Sequence, residues 1–124
     1  NTISASSIWL LSLEDNSLTG YRGTNEGGKL AGNGLLWDTG ILIFNSDFAT
    51  SGFNVLPAGM FWFDTEYFYD LDVHNTAYFW SSTEYTYNNY SGFALSREIR
   101  NTQTGIKRFN DFKQSMLSVR CIKD

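Results

Sequence analysis

Thirteen of the chain's 21 aromatic residues fall between Phe61 and Phe93, and this concentration constrains the fold more than any other feature. Large rings favour the half-buried surface of a pleated sheet, where each packs against same-face neighbours without crowding a preceding helical turn. Much of the span is therefore expected to be strands and aromatic-rich connections. The last third reads the same way. Phe93–Arg100 has the composition of a strand, Asn101-Thr102-Gln103-Thr104-Gly105 that of a turn, and Gly105–Phe109 that of a returning strand. In Leu117-Ser118-Val119-Arg120-Cys121 apolar and polar residues alternate, so Leu117, Val119 and Cys121 are expected to face the core, with Ser118 and Arg120 outward.

The N-terminal half is less regular. The first dozen residues read equally as a short helix, with Trp9 and Leu13 on one face, or as an alternating strand. Residues 16–34, rich in Gly, Asn and Thr, read as a long irregular loop. Ile41–Phe44 reads as a buried strand or a packed loop, and the single proline, Pro57, as the end of a strand or the start of a turn. With 124 residues and no repeat or composition shift, a single domain over 1–124 is expected.

Composition removes several function classes. The net charge of −4 and the absence of a basic run argue against nucleic acid. No apolar stretch is long enough to span a bilayer as a helix, so no membrane insertion is expected. The chain opens without Met, and a targeting segment preceding it is compatible with that. A single cysteine, Cys121, leaves no partner for an internal disulfide.

Three segments resemble one family in order and spacing. Gly52-Phe53-Asn54-Val55-Leu56-Pro57-Ala58-Gly59 is similar to its "GFsaLPgG" stretch, and Tyr78-Phe79-Trp80-Ser81-Ser82-Thr83-Glu84-Tyr85 to its "yfWSSTEy". Leu117–Asp124 is similar to its terminal "fSVRCvkD". Gly28-Lys29-Leu30 followed by Trp37 resembles the "gkLk…W" that precedes them. The family is the Fibrobacter succinogenes major paralogous domain, abundant in surface and secreted proteins of Bacteroidetes and Fibrobacter, and the resemblance covers about residues 28–124. It implies an α+β, C-type-lectin-like fold of short twisted antiparallel strands and long loops, with at most one or two short helices. It also implies an extracellular or cell-surface location. A further strand–helix stretch normally precedes these segments, so the chain is expected either to be N-terminally truncated or to assemble with another segment. Trp37, Pro57, Trp80 and Cys121 are expected to be structural, Trp80 as a core anchor, with the Ser-Ser-Thr hydroxyls satisfying backbone groups where the strand ends.

Candidate chemistry is sparse. Strand alternation would align Asp70, Asp72 and His74 on one face, but one histidine among acidic residues reads more simply as a solvated loop than as a metal site. The Glu-Pro-Asn or Gln-Pro-Asp signature of calcium-dependent lectins is absent, which leaves only an oxygen-rich loop around Asn45 and Asp47 for calcium. No metal and no cofactor is expected. Formylglycine-generating enzymes share the fold group but depend on a pair of cysteines, and no nucleophile elbow is present, so no enzymatic activity is expected.

What remains is binding. Thr86–Gly92 mixes Tyr, Asn, Ser and Gly as antibody loops do. In relatives targeted by diversity-generating retroelements the C-terminal half carries the ligand-facing positions. Carried over, that resemblance implies contacts at Tyr85, Tyr87, Asn88, Tyr90, Asn101, Gln103 and Lys107. The expected ligand is a glycan or a surface protein. The alternatives are a structural or adhesive part of a surface assembly, such as a fimbrial tip, and a variable receptor-binding protein. An exposed aromatic site around Trp62, Tyr67 and Tyr87 would favour a glycan, and a broad apolar patch would favour assembly.

Overall fold

The computed structural model describes residues 20–63, 68–87 and 89–119. Among these the chain forms β1 (Gly20–Arg22), a short helix α1 (Glu26–Leu30), a 3-10 turn (Gly34–Leu36), β2 (Met60–Phe63), β3 (Phe68–Leu71), β4 (Thr76–Tyr87), β5 (Tyr90–Arg100) and β6 (Ile106–Phe112). A four-stranded sheet has the order β1-β6-β5-β4, with every neighbouring pair antiparallel, and β2 pairs with β3 in a separate ribbon. The described residues are thus mostly antiparallel strands with one short helix, compatible with a small α+β or mainly β fold. No helix among them is long and apolar enough to cross a membrane.

The aromatic-rich span does become strand, and it pairs further than its composition suggests. Tyr87 lies opposite Tyr90, so only two residues connect β4 to β5. Asn89 there has a φ of 63°, a left-handed conformation that asparagine tolerates better than most residues. The Tyr/Asn/Ser-rich stretch 86–92 is therefore a strand–turn–strand tip rather than a loop. The second hairpin matches its expected boundaries, with β5 ending at Arg100 and β6 starting at Ile106.

The Ser-Ser-Thr after Trp80 lies inside a strand. Trp80 pairs with Ser96 and Glu84 with Ala94, so β4 uses four steps where β5 uses two. The surplus is a bulge, and the Ser81 hydroxyl donates to the Leu95 carbonyl at 2.8 Å while accepting from the Thr83 amide at 3.3 Å. The hydroxyl thus serves backbone groups that the broken ladder leaves without their usual partners.

Alternation divides the main sheet into two faces. Ala77 and Phe79 of β4, Ile99 of β5 and Ile106 of β6 pack against Leu30, Ala31, Trp37, Leu42 and Val55. Arg97 and Arg108, opposite one another in register, continue this inner face and are also buried. Burial, together with the charges of Arg108 and Arg22, lowers the Arg97 guanidinium to about 10.

Glycines bring the irregular segment close to the sheet. A Cβ on Gly27 would lie 2.4 Å from the Gly105 carbonyl oxygen, and one on Gly105 would lie 2.6 Å from that of Arg22. The turn between β5 and β6 is thus wedged between α1 and β1.

Several expectations are corrected. Residues 20–34, read as loop, contain β1 and α1, because both are too short to leave a periodic signal and are fixed by contacts with the β5–β6 turn. Of the two readings of Ile41–Phe44, the packed loop holds and the buried strand does not: only Leu42 is fully buried, while Phe44 is 74% exposed. Trp80 is half-buried on the face opposite the core, and its neighbour Phe79 takes the core position. Val119 is 74% exposed, because its segment touches the edge of β4 through one bridge, Phe79 with Ser118, instead of entering the sheet as a full strand. The first dozen residues, Trp9 and Cys121 lie outside the described residues.

Candidate functional site

The outer face of the main sheet holds a polar network that the strand registers assemble. On β5, Ser96, Glu98 and Arg100 alternate with the inner Leu95, Arg97 and Ile99. Glu98 lies opposite Tyr78 on β4 and Lys107 on β6, and Lys107 lies opposite Tyr21 on β1. The row Tyr78–Glu98–Lys107–Tyr21 therefore crosses all four strands, three spacings or ~14 Å. Two residues further along each strand, Trp80, Ser96 and Phe109 form a second row on the same face.

Glu98, only 3% exposed, is the centre. Its Oε1 accepts from Arg100 Nε at 2.7 Å and from the Tyr21 hydroxyl at 3.5 Å, and Oε2 faces Lys107 Nζ at 3.5 Å. Arg100 Nη2 reaches Asp72 Oδ2 at 3.3 Å and the Tyr78 oxygen at 3.1 Å, while the Tyr78 hydroxyl donates to Asp72 at 2.5 Å. Lys107 Nζ lies 4.9 Å from the Phe109 ring centroid and 6.0 Å from that of Tyr21. The two rings, 40% and 39% exposed, flank the ammonium.

The protonation states follow from this arrangement. Burial, then the Asp72 hydrogen bond and the Glu98 charge, hold Tyr78 far above the usual phenol range. Burial and then the Glu98 charge raise Tyr21. Burial alone would lower Arg100, but the Glu98 hydrogen bond and charge, with Tyr78 and Asp72, leave it above its ordinary value. Beside the network, the Ser96 hydroxyl donates to Asp111, whose carboxyl is raised by burial and by the Glu98 charge. The arrangement presents fixed donors and acceptors beside two exposed rings, with its central carboxylate already committed to Arg100, Lys107 and Tyr21.

Six of the seven residues expected to contact ligand are described, and these six do not converge. Tyr85 packs edge-on against Phe93, with centroids 6.5 Å apart, and Tyr87 and Tyr90 pair at the hairpin turn. Asn88 lies outside the described residues. Asn101 and Gln103 lie beyond the other end of β5, which at eleven residues is ~35 Å long. Gln103 is exposed in the turn. Asn101 was expected to be exposed, yet it is buried: its amide donates to Asn75 O, its carbonyl accepts from Leu42 N, and its side chain donates to Thr39 O. It organises the turn from inside. Of the seven, only Lys107 belongs to the outer-face network.

Among the residues expected to be structural, Trp37 is buried and donates from Nε1 to the Gly32 carbonyl. Pro57 is buried between two bridges, Ala31 with Val55 and Gly59 with Ala77, and its carbonyl accepts from His74 N. The alignment of Asp70, Asp72 and His74 does not form. β3 ends at Leu71, and Asp72 and His74 have φ values of 65° and 72° in the following turn. Asp72 joins Arg100, while His74 Nδ1 lies 3.1 Å from the Leu36 carbonyl. The loop oxygens of Asn45 and Asp47 take part in local hydrogen bonds, with the Asp47 amide and the Asn25 side chain. Trp62 is half-buried in β2, and Tyr67 lies outside the described residues.

Sequence reasoning missed Tyr21, Tyr78, Glu98, Arg100 and Phe109, and it weighed Asp72 only in a metal-binding alignment with Asp70 and His74. The available signal was the alternation in Ser96-Arg97-Glu98-Ile99-Arg100, which puts Glu98 and Arg100 on one face, and the hairpin register that sets Glu98 against Lys107.

A second feature lies at the opposite edge of the sheet. Two adjoining hollows of about 370 and 240 Å³ share Ala58 and Ser118 as walls. Exposed Leu56, Phe61, Met116 and Val119 line them.

A family model described as Fibrobacter succinogenes major domain matches residues 10–123, reaching further toward the N-terminus than the residue 28 at which the motif resemblance begins. No curated protein and no solved structure matches the chain significantly.

Proposed function

The chain belongs to the Fibrobacter succinogenes major domain family, and we propose that it is a non-catalytic, extracellular binding module of C-type-lectin-like fold. Its ligand, a glycan or a surface protein, docks on the outer face of the four-stranded sheet. The observation that carries this reading is the pair of exposed rings, Tyr21 and Phe109, on either side of Lys107 at one end of the Lys107–Glu98–Arg100–Asp72 network. Buried ion pairs of this kind are seldom the most stable filling for a surface, since hydrophobic replacements often do as well. A rigid array of donors and acceptors is what recognition requires.

The test is a screen of immobilised glycans and bacterial surface proteins with three forms of the domain. These are wild type, an outer-face variant (Tyr21→Ala with Phe109→Ala), and a hairpin-tip variant (Tyr87→Ala with Tyr90→Ala). The outer-face variant should lose binding and the tip variant keep it. The reverse pattern would move the site to the hairpin tip.

A second reading, a structural or adhesive part of a surface assembly, is favoured by the apolar hollows beside Leu56, Phe61, Met116 and Val119. It predicts concentration-dependent self-association that Met116→Lys abolishes, measured by light scattering. The wide separation of Tyr85, Tyr87 and Tyr90 from Asn101 and Gln103 counts against a single variable receptor-binding face built from those positions.

A further inference from the structure

The outer face differs from most recognition surfaces in its charge balance. Two carboxylates, Asp72 and Glu98, stand against two cations, Arg100 and Lys107, with each cation within 3.5 Å of a carboxylate. An anionic ligand reaching Lys107 and Arg100 meets Glu98 and Asp72 beside them, and a cationic ligand reaching Asp72 meets Arg100. The local charges cancel, so a ligand of either sign gains little net attraction.

Among the described residues, uncommitted hydrogen-bonding capacity remains nonetheless. Lys107 carries three N–H donors and meets a single carboxylate oxygen, Glu98 Oε2, across 3.5 Å. Arg100 uses Nε and Nη2 within the network, leaving the Nη1 pair. Asp72 is engaged through Oδ2, leaving Oδ1. The side chains of Asp72, Arg100 and Lys107 are 27%, 30% and 29% exposed, so these atoms belong to groups that reach solvent.

We infer that the ligand of this face is an uncharged oligosaccharide. Its hydroxyls would bond to Lys107, Arg100 Nη1 and Asp72 Oδ1, and its apolar C–H faces would rest on Tyr21 and Phe109. The inference rests on the reading of the outer face as the binding surface. A hydroxyl both donates and accepts, so a row of hydroxyls satisfies this mixture of cationic donors and a carboxylate acceptor without disturbing the ion pairs. The rings take the apolar side of the same molecule. The accessible groups run from Tyr21 on β1 to Arg100 on β5, two strand spacings or ~10 Å, which is longer than a single sugar ring and suits more than one unit.

A protein partner fits less well. Protein interfaces concentrate their energy in a desolvated aromatic or apolar centre with polar groups at the rim. Here the two exposed rings stand on either side of the Lys107 ammonium and the polar network runs on from it, so the rings do not meet in a desolvated apolar centre.

The experiment uses an array of neutral, sialylated, sulfated, uronic-acid and amino-sugar glycans. Hits are titrated at low salt and in about 0.5 M sodium chloride, where exposed charge pairs are screened. Neutral glycans should bind with little change in affinity between the two salts. Tyr21→Ala with Phe109→Ala should weaken them about tenfold or more. Tyr21→Ala alone, on the short edge strand, serves if the double variant does not fold, and should weaken binding severalfold.

Hits confined to charged glycans, or affinities that collapse at high salt, overturn the uncharged ligand. If these remain ring-dependent, they leave the outer face as the site. Ring-dependent capture of a surface protein without any glycan hit does the same. Glycan binding that ignores both rings overturns the site itself.

Discussion

Glu98→Gln tests the outer-face network most directly, because one nearly isosteric change removes the charge on which three neighbours depend. Glutamine keeps a carbonyl for Arg100 Nε, the 2.7 Å contact, so the best hydrogen bond survives with its donor charged and its acceptor neutral, a loss of roughly 1 kcal/mol. The ion pair with Lys107 disappears, and the new amide directs hydrogens toward an ammonium. Full burial of the stranded cations would cost 3–5 kcal/mol. Arg100 and Lys107 are about a third exposed and regain water, which reduces this contribution to roughly 1 kcal/mol. The expected loss is therefore about 2 kcal/mol, or roughly 6–10 °C in melting temperature for a domain of this size. Urea denaturation followed by tryptophan fluorescence reads it as a lower midpoint at unchanged slope. A loss below about 0.5 kcal/mol, the range of ordinary surface changes, would show that Glu98 does not organise the face. Combining Glu98→Gln with Lys107→Met should cost less than the two losses summed, since the pair shares one interaction.

Three other perturbations probe separate parts of the fold. Ser81→Ala removes the hydroxyl that serves Leu95 O in the β4 bulge, and should lower stability by about 1 kcal/mol in the same urea assay. Gly59→Ala places a methyl group 2.2 Å from the Leu71 carbonyl oxygen at a φ of 66°. The strain is about 1–2 kcal/mol before the clash is counted, so circular dichroism melts should show a loss of at least that size. Asp111 has its folded pKa raised above the ordinary 3.8, so its proton is held more tightly in the folded state, and stability falls as pH rises from the ordinary value through the folded one. Asp111→Asn should remove that loss, gaining on wild type near pH 7 with a gap that closes below about pH 4 in thermal melts across pH.

Local chemistry alone determined the C-terminal hairpin, the strand character of the aromatic span, and the family. The turn at Asn101–Gly105 is legible because Asn, Thr and Gly interrupt two strand-forming runs, and the three ordered motifs need no three-dimensional information. The role of Ser81 was half legible: its hydroxyl does serve a backbone group, but that the place is a bulge depends on how β4 registers against β5. Position within the sheet was not legible at all. Phe79 and Trp80 are adjacent and equally apolar, and only the register that sets Phe79 opposite Arg97 and Trp80 opposite Ser96 decides which faces the core. The same holds for binding. Sequence analogy grouped Tyr85, Tyr87, Asn88, Tyr90, Asn101, Gln103 and Lys107 by their positions in the family resemblance, and β5 separates Tyr85, Tyr87 and Tyr90 from Asn101 and Gln103 by its own length. The residues that do meet, Tyr21, Asp72, Tyr78, Glu98, Arg100, Lys107 and Phe109, come from four strands and a turn spread over ninety positions. Period-two alternation fixes which residues share a face of one strand, but pairing between strands distant in sequence fixes which faces meet.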